Sequence, residues 1–394
     1  MKTNPGGQLS VDEIIGRELI SQTIRDVLKK QSVIMTAERR IGKTSIMTIL
    51  EEKPEKNWIP IYSDLEKVRT AKEFAKTIYA IVQKHLSKTQ QAVNLAKKLA
   101  GILGGAEANG YKLPKTPEST WQEILEHSIA TLAEEQESSG KQVLFLWDEV
   151  PYMLSNIRDE DGENTAMQVL DTLRALRKDY KNFRMLITGS IGLHHVLNEL
   201  KQNGYRNEPT NDMFQIEIEP LESKDASFLA KKLLEGEDVK TDDIKALSQA
   251  IADKTDNFPF YIHHVVKSLK LQQQIDKKNA TIDTVETTIL EKLVDDNDPW
   301  ELRHYEDRLA DYYGEDATQI ELILDALALI DDDGLKAKDL LEILKQQSAF
   351  DDLKKLRELL SLLNQDHYLS KDLESRYRFR FPLIQRWWKI YREL

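Results

Sequence analysis

Residues 31–45 read Gln-Ser-Val-Ile-Met-Thr-Ala-Glu-Arg-Arg-Ile-Gly-Lys-Thr-Ser, and no other stretch constrains the chain as tightly. A short apolar run at 33–35 ends in a loop that closes on Gly42-Lys43-Thr44. That is the order strand, phosphate loop, helix start. The spacing fits G-x-x-x-x-G-K-[ST] with Ala37 in place of the first glycine, a small residue that still lets the backbone pass close to a phosphate. The loop residues Ala37, Glu38, Arg39, Arg40 and Ile41 then offer successive N–H groups as an anion nest, backed by the positive end of the helix that begins near Gly42. Lys43 carries a point charge to the β and γ phosphates, the Thr44 hydroxyl is placed to ligate Mg2+, and Ser45 follows in the first turn.

A pattern this short also arises by chance in chains of ordinary composition, so a second element is needed. Residues 143–149, Val-Leu-Phe-Leu-Trp-Asp-Glu, supply it: a buried-type apolar strand that ends in two carboxylates. An Asp-Glu pair is common on a surface and uncommon at the end of a wholly apolar strand. This is the Walker B arrangement, in which Asp148 holds the Mg2+ shell and Glu149 polarises the attacking water. The two motifs in this order predict a site for ATP or GTP.

With 394 residues the chain has room for two or three domains, each with its own core. Its 40% hydrophobic and 31% charged residues are those of a globular protein rather than a disordered one. The absence of cysteine excludes disulfides, zinc-thiolate sites and cysteine nucleophiles, and suits a reducing cytosol. No apolar run approaches the roughly 20 residues of a membrane helix and the first residues lack a signal-peptide core, so a cytoplasmic protein without membrane association is expected. A net charge of −12 argues against coating by nucleic acid, so any DNA contact must come from a local patch.

A lead-in helix is expected over 11–30, with the turn Gly16-Arg17-Glu18 beside it; an ordinary helix N-terminus explains Glu18 equally well. After the phosphate-loop helix at 43–53, residues 57–64 read as a second strand that Pro60 places at a sheet edge. Helical stretches at 70–103 and 119–137 form an insertion interrupted by Gly104-Gly105, Pro114 and Pro117. An acidic loop at 158–163 leads into a helix at 163–180. The strand at 183–190 ends in Thr188-Gly189-Ser190, where Thr188 or Ser190 is placed to sense a γ phosphate, unless the turn merely ends the strand. A last alternating strand at 213–221 follows a loop that carries Arg206. Strands alternating with helices imply a parallel sheet covered on both faces, with ligands at the C-terminal strand ends.

From Leu221 the period changes to 3.6, with helices at 223–235, 241–254, 259–274 and 281–295. The pairs His194-His195 and His263-His264 read as ordinary partly buried histidines, because adjacent helical residues point to different faces. Residues 295–299 look like a domain joint, followed by helices at 301–312, 317–330, 335–346 and 350–364 and a two-stranded hairpin. That is the order of a winged helix. Alternation puts Tyr377, Phe379 and Phe381 inside and Arg376, Arg378 and Arg380 outside. Between Arg376 and Arg392 there are six basic residues and no acidic one.

The expected fold is α/β: a P-loop NTPase parallel sheet of about five strands with helices on both faces, then a helical lid and a winged-helix domain. The divisions are 1–221 for the core with a helical insertion at about 66–138, 222–297 for the lid and 298–394 for the winged helix. With these parts located, nearly the whole chain resembles the AAA+/STAND-type "archaeal ATPase" family, which also occurs in bacteria. The loop 37–45 is similar to that family's Arg-Arg-x-Gly-Lys-Thr-Ser form, and Gly189-Ser190 to the end of its fourth strand. Residues 257–261 look like its Gly-x-Pro lid motif, with Asn257 for the glycine and Pro259 kept; residues 379–388 are similar to its tail. The resemblance implies a slow, regulated ATPase using ATP and Mg2+, whose lid and winged helix move with nucleotide state. It also implies that Gly16 and Arg17 cover the adenine and that Arg206 is placed as an arginine finger in a homo-oligomer. Pairing of Arg206 with Glu208 is the plainer alternative.

Two classes of action follow. In one, the winged helix contacts duplex DNA through Arg376, Arg378 and Arg380 with Lys354, Lys355 and Arg357, although Asp351-Asp352 at the start of that helix would repel phosphates. In the other, it packs on its own chain or on a protein partner, and the basic ladder is a solvated face.

Overall fold

The strand at Val33–Ala37 (β1) lies inside a five-stranded parallel sheet, and the neighbours it takes follow from burial. The computed structural model describes residues 1–86, 120–189, 192–330, 333–346 and 351–394. The expected Gly104-Gly105 break, the second half of the 70–103 helix and Ser190 lie outside the described residues. The described chain divides into two units, one of residues 18–36 and 43–218, the other of residues 1–17, 37–42 and 219–394.

In the first unit the elements are α1 (Glu18–Leu28), β1, α2 (Lys43–Glu52), β2 (Trp58–Asp64), α3 (Ala71–His85), α4 (Thr120–Glu137), β3 (Gln142–Asp148), α5 (Val150–Asp161), α6 (Glu163–Asp179), β4 (Phe183–Ile187), α7 (Leu193–Gln202) and β5 (Phe214–Ile218). The strand order is β2-β3-β4-β1-β5. β3 runs between β2 and β4, which is why its side chains from Val143 to Trp147 are all buried and read as one apolar run. Pro60, which cannot donate to a second neighbour, sits in β2 at the edge and pairs only with Leu144 of β3. Trp147 is edge-on to Phe74 at 5.4 Å and packs on Phe145 at 5.1 Å, tying α3 to the sheet.

Three sequence expectations change here. The lead-in helix is shorter than 11–30: a single 3₁₀ turn, Val11–Glu13, precedes α1, and Gly16 at φ 72° separates them. The acidic stretch 158–163 is not a loop but the last turn of α5 and the start of α6, divided by Gly162 at φ 89°. Buried Val150, Met153, Leu154 and Ile157 give α5 its helical stripe, which the charged tail masked. Helix α7 was likewise not expected.

The second unit holds α8 (Ser223–Glu237), α9 (Ile244–Lys254), α10 (Pro259–Asp276), α11 (Ile282–Leu293), α12 (His304–Tyr313), α13 (Ala317–Ala328), β6 (Leu335–Lys336), α14 (Ala337–Gln346), α15 (Leu353–Gln365), β7 (Leu369–Lys371), β8 (Arg376–Phe379) and α16 (Pro382–Tyr391). Asp243 caps α9 by accepting from the Lys245 and Ala246 N–H groups, and Thr281 caps α11 in a reciprocal box with Thr284. The expected helix 335–346 begins instead with a short strand: β6 pairs antiparallel with β8, which also pairs with β7. Gly334 makes the turn possible, being at φ 63° with the Tyr377 carbonyl oxygen 2.7 Å from where a Cβ would stand.

Between α9 and α10, Asp256 and Asn257 both adopt left-handed backbone, at φ 49° and 60°. Asparagine tolerates that conformation best after glycine, which accounts for Asn257. The Asp256 carboxylate accepts the Leu383 N–H at 2.7 Å, capping α16. Burial pushes Asp256 up to about 6, against the opposing pull of the Leu383 N–H and Arg386. A folded-state value above the usual 3.8 means stability present below pH 4 and lost as pH rises through about 6. Urea unfolding followed by tryptophan fluorescence should show this loss, on the order of 2 kcal/mol after discounting residual solvent contact. Asp256→Asn should flatten it; parallel curves for the two proteins would exclude the assignment.

Candidate nucleotide-binding site

In the first unit, α2 starts at Lys43 and its second residue, Thr44, donates its hydroxyl to Asp148 Oδ2 at 3.3 Å. Asp148 is buried at the C-terminal end of β3, and its Oδ1 accepts the Glu149 N–H at 3.1 Å. Glu149 is at φ 57°, outside both strand and helix, as the N-cap residue of α5. Burial first, and the neighbouring Glu149 charge second, raise Asp148 to about 6 against Lys43 and Thr44. Two hard oxygen donors facing each other, one a carboxylate short of positive charge, fit Mg2+. Thr188 lies at the end of β4, between β1 and β3; its buried hydroxyl has no hydrogen-bond partner among the described residues. A Cβ on Gly189 would come 3.4 Å from Glu149 Oε2, so that strand end runs alongside the Glu149 carboxylate.

In the second unit, the segment 37–42 is held by residues remote in sequence. Arg40 takes φ 67° and Gly42 φ 105°. Arg40 pairs with Glu301 and stacks over Phe260 at 4.4 Å, while Arg39 reaches the other Glu301 oxygen at 3.0 Å. Phe260 follows Pro259, which occupies the first turn of α10, where a missing N–H does no harm. The buried Arg17 guanidinium donates to the Ile41 carbonyl at 2.6 Å and the Glu219 carbonyl at 2.9 Å. Burial pulls it down to about 10, against the Asp225 charge. Gly16 is at φ 72°, with Asp225 Cβ 2.7 Å from a would-be Cβ. The Gly16-Arg17 turn thus positions backbone here.

Glu38 is 2% exposed. Its Oε1 accepts the Arg39 N–H at 2.8 Å and faces Arg308 Nη1 at 3.4 Å and His304 Nε2 at 3.7 Å. Burial alone would raise its carboxyl; Arg308, then His304, outweigh that and hold it well below the usual range. Nothing in the motif marked Glu301, His304 or Arg308, whose part depends on contacts more than 250 residues apart.

Arg206 lies in the exposed loop between α7 and β5. That loop is pinned on both sides: Tyr205 and Asn207 donate to Asp171, and Arg177 donates to Asp212 and to the Pro209 carbonyl. Glu208 pairs with Lys201 at 2.7 Å rather than with Arg206, which has no ion pair among the described residues. The basic C-terminal stretch is not bare. Arg376 pairs with Glu374, Arg386 with Glu286 and Arg392 with Asp325. Arg380, expected outside, is largely covered and pairs with Glu219 at 2.5 Å, because the fold supplies the acids its own segment lacks. Lys355 pairs with Asp316 and Lys354 loosely with Glu358, whereas Arg357 and Arg378 are exposed. The buried His263 accepts the Asn4 N–H at 3.0 Å, and burial lowers it to about 4, so it is a neutral packing residue. Among the described residues no helix is long and apolar enough to cross a membrane.

No family model matches the chain, and no curated protein does. Solved structures are similar along nearly its full length. The Walker-type ATPase PABY2304 of Pyrococcus abyssi aligns over 96% of this chain and 97% of its own, with a TM-score of 0.63 at 14% identity. The ORC2 protein of Aeropyrum pernix, in its ADPNP–ADP complexes, aligns over 99% and 96%, with a TM-score of 0.52 at 12% identity. At such identities the likeness is one of fold, and the fold is that of a P-loop ATPase.

Proposed function

We propose that the chain binds and hydrolyses ATP with Mg2+ as a switch of the AAA+/STAND type, coupling nucleotide state to a helical lid and a winged helix. The observation that carries this is Thr44 and Asp148 facing each other at 3.3 Å, with Glu149 next in line and Lys43 heading α2. The similar folds of a Walker-type ATPase and of a protein solved with ADPNP and ADP support the same reading. Bound Mg2+ supplies charge stabilisation for the β and γ phosphates. Lys43 adds a point charge to those phosphates, Glu149 orients the attacking water and takes its proton, and Thr188 offers its hydroxyl to the γ phosphate. Along the sequence we divide the chain into a core at 1–221, a lid at 222–297 and a winged helix at 298–394, with residues 1–17 and 37–42 grouped with the last two in space; the helix–strand–helix–helix–hairpin order of α13 to β8 supports the winged helix.

Within this reading, a C-terminal domain that works on its own chain or a protein partner is favoured over one that binds DNA. The internal pairing of Arg376, Arg380, Arg386 and Arg392 speaks for it. Adding duplex DNA at low salt should leave the ATPase rate within about twofold; a strong, salt-sensitive stimulation would reverse the choice.

Lys43→Ala should abolish ATP binding in a filter or fluorescence assay. Glu149→Gln should still bind ATP and lose roughly a hundredfold or more in turnover. Wild-type turnover by Glu149→Gln would assign the base elsewhere. For Arg206, exposed and without an ion pair among the described residues, we propose a finger role in a neighbouring subunit's site, with an effect on the order of a thousandfold. Arg206→Ala should bind ATP yet be inactive, and regain part of its activity when mixed with Lys43→Ala, which still lends its arginine. Activity independent of protein concentration, without rescue, would point to a monomeric switch.

A further inference from the structure

Glu38 is an unusual resident for a phosphate loop. Its carboxylate already accepts the Arg39 N–H at 2.8 Å, one of the loop amides that an anion nest would offer to phosphate. A buried anion in that place competes with the ligand unless a cation holds it. Arg308 is that cation, and it is preorganised. Its Nε donates to the Tyr368 hydroxyl at 2.7 Å, its guanidinium lies 4.7 Å from the Tyr305 ring and 4.5 Å from the Tyr368 ring, and the Tyr368 hydroxyl in turn donates to the Tyr305 carbonyl at 2.6 Å. The aromatic box fixes the guanidinium with its Nη1 toward Glu38 Oε1.

We propose that Arg308 is a positioning residue for phosphate binding: by neutralising Glu38 it confines that carboxylate to the Arg39 N–H and keeps it from the remaining loop amides, and so sets the affinity for nucleotide. This rests on the ATP-binding reading above and deepens it. The two members of the pair carry opposite signs. Removing the cation leaves the carboxylate to claim the amides and weakens phosphate binding; removing the anion frees an amide and strengthens it. A pair that served stability alone would make both single changes act alike, and so would a clasp that merely restrains the loop.

The test is equilibrium binding of a fluorescent ATP analogue with Mg2+, alongside steady-state kinetics and melting of the nucleotide-free proteins. Arg308→Gln should raise Kd and KM at least tenfold, with kcat at saturating ATP moving less than threefold. Arg308→Lys, which keeps the charge, should recover most of the affinity. Glu38→Gln should lower Kd by two- to fivefold, and the double change should recover at least half of what Arg308→Gln loses. If Arg308→Gln does not fold, the sign of the Glu38→Gln shift still decides. Weaker binding by Glu38→Gln, or wild-type binding by a folded Arg308→Gln, overturns the proposal and leaves the ATP site standing. A wild-type protein that binds no nucleotide removes both.

Discussion

Asp148 stands at the end of a strand whose five preceding side chains are all buried, and taking a carboxylate out of water at that point is the constraint to which the surrounding residues answer. An uncompensated buried charge is costly enough that proteins pair it or let it take up a proton. Here the compensation is incomplete: the Thr44 hydroxyl and the charge of Lys43 help, the neighbouring Glu149 hinders, and the carboxyl is held at about 6. On the proposed reading, a divalent cation would complete that compensation. The apolar strand and the ligand chemistry are therefore two sides of one burial problem.

The phosphate loop presents the opposite problem. Its backbone must turn left-handed at Arg40, which has a Cβ and gains nothing locally from doing so. Stabilisation comes from side chains far along the sequence, Glu301 on Arg39 and Arg40 and the Phe260 ring under Arg40. Arg17 fastens the Ile41 carbonyl by its guanidinium. The loop's shape thus depends on residues that lie outside the phosphate-loop motif itself.

That difference explains what the sequence disclosed. Strands β1 and β3, the edge position of β2 and the helices α8 to α11 were legible because each follows from local apolar period, proline or capping signals. Helix α5 was hidden by its acidic tail, and β6 by its length of two residues. Of the candidate site residues, Lys43 and Thr44 stand out by the spacing of one short loop and Asp148 by its place at the end of an apolar strand, both local patterns, and the structure brings Thr44 and Asp148 within 3.3 Å of each other. The Arg376–Arg392 stretch misled for the converse reason: a segment without acids looked like a bare cationic face, while Glu219, Glu286 and Asp325 arrive from other elements. Long-range charge compensation leaves no trace in a window of ten residues.

The second unit is assembled from three separated pieces of chain, and this has a consequence for biosynthesis. Once residue 218 has emerged from the ribosome, the first unit has all its strands, since it draws only on residues 18–36 and 43–218. Segment 37–42 must then wait while residues 219–394 are made, on the order of ten seconds or more at ordinary elongation rates. For the first half of that interval Glu38, Arg39 and Arg40 lack Glu301 and Arg308, which are themselves made only midway through it. The nascent protein therefore passes through a stage with a finished sheet and an unbraced 37–42 segment.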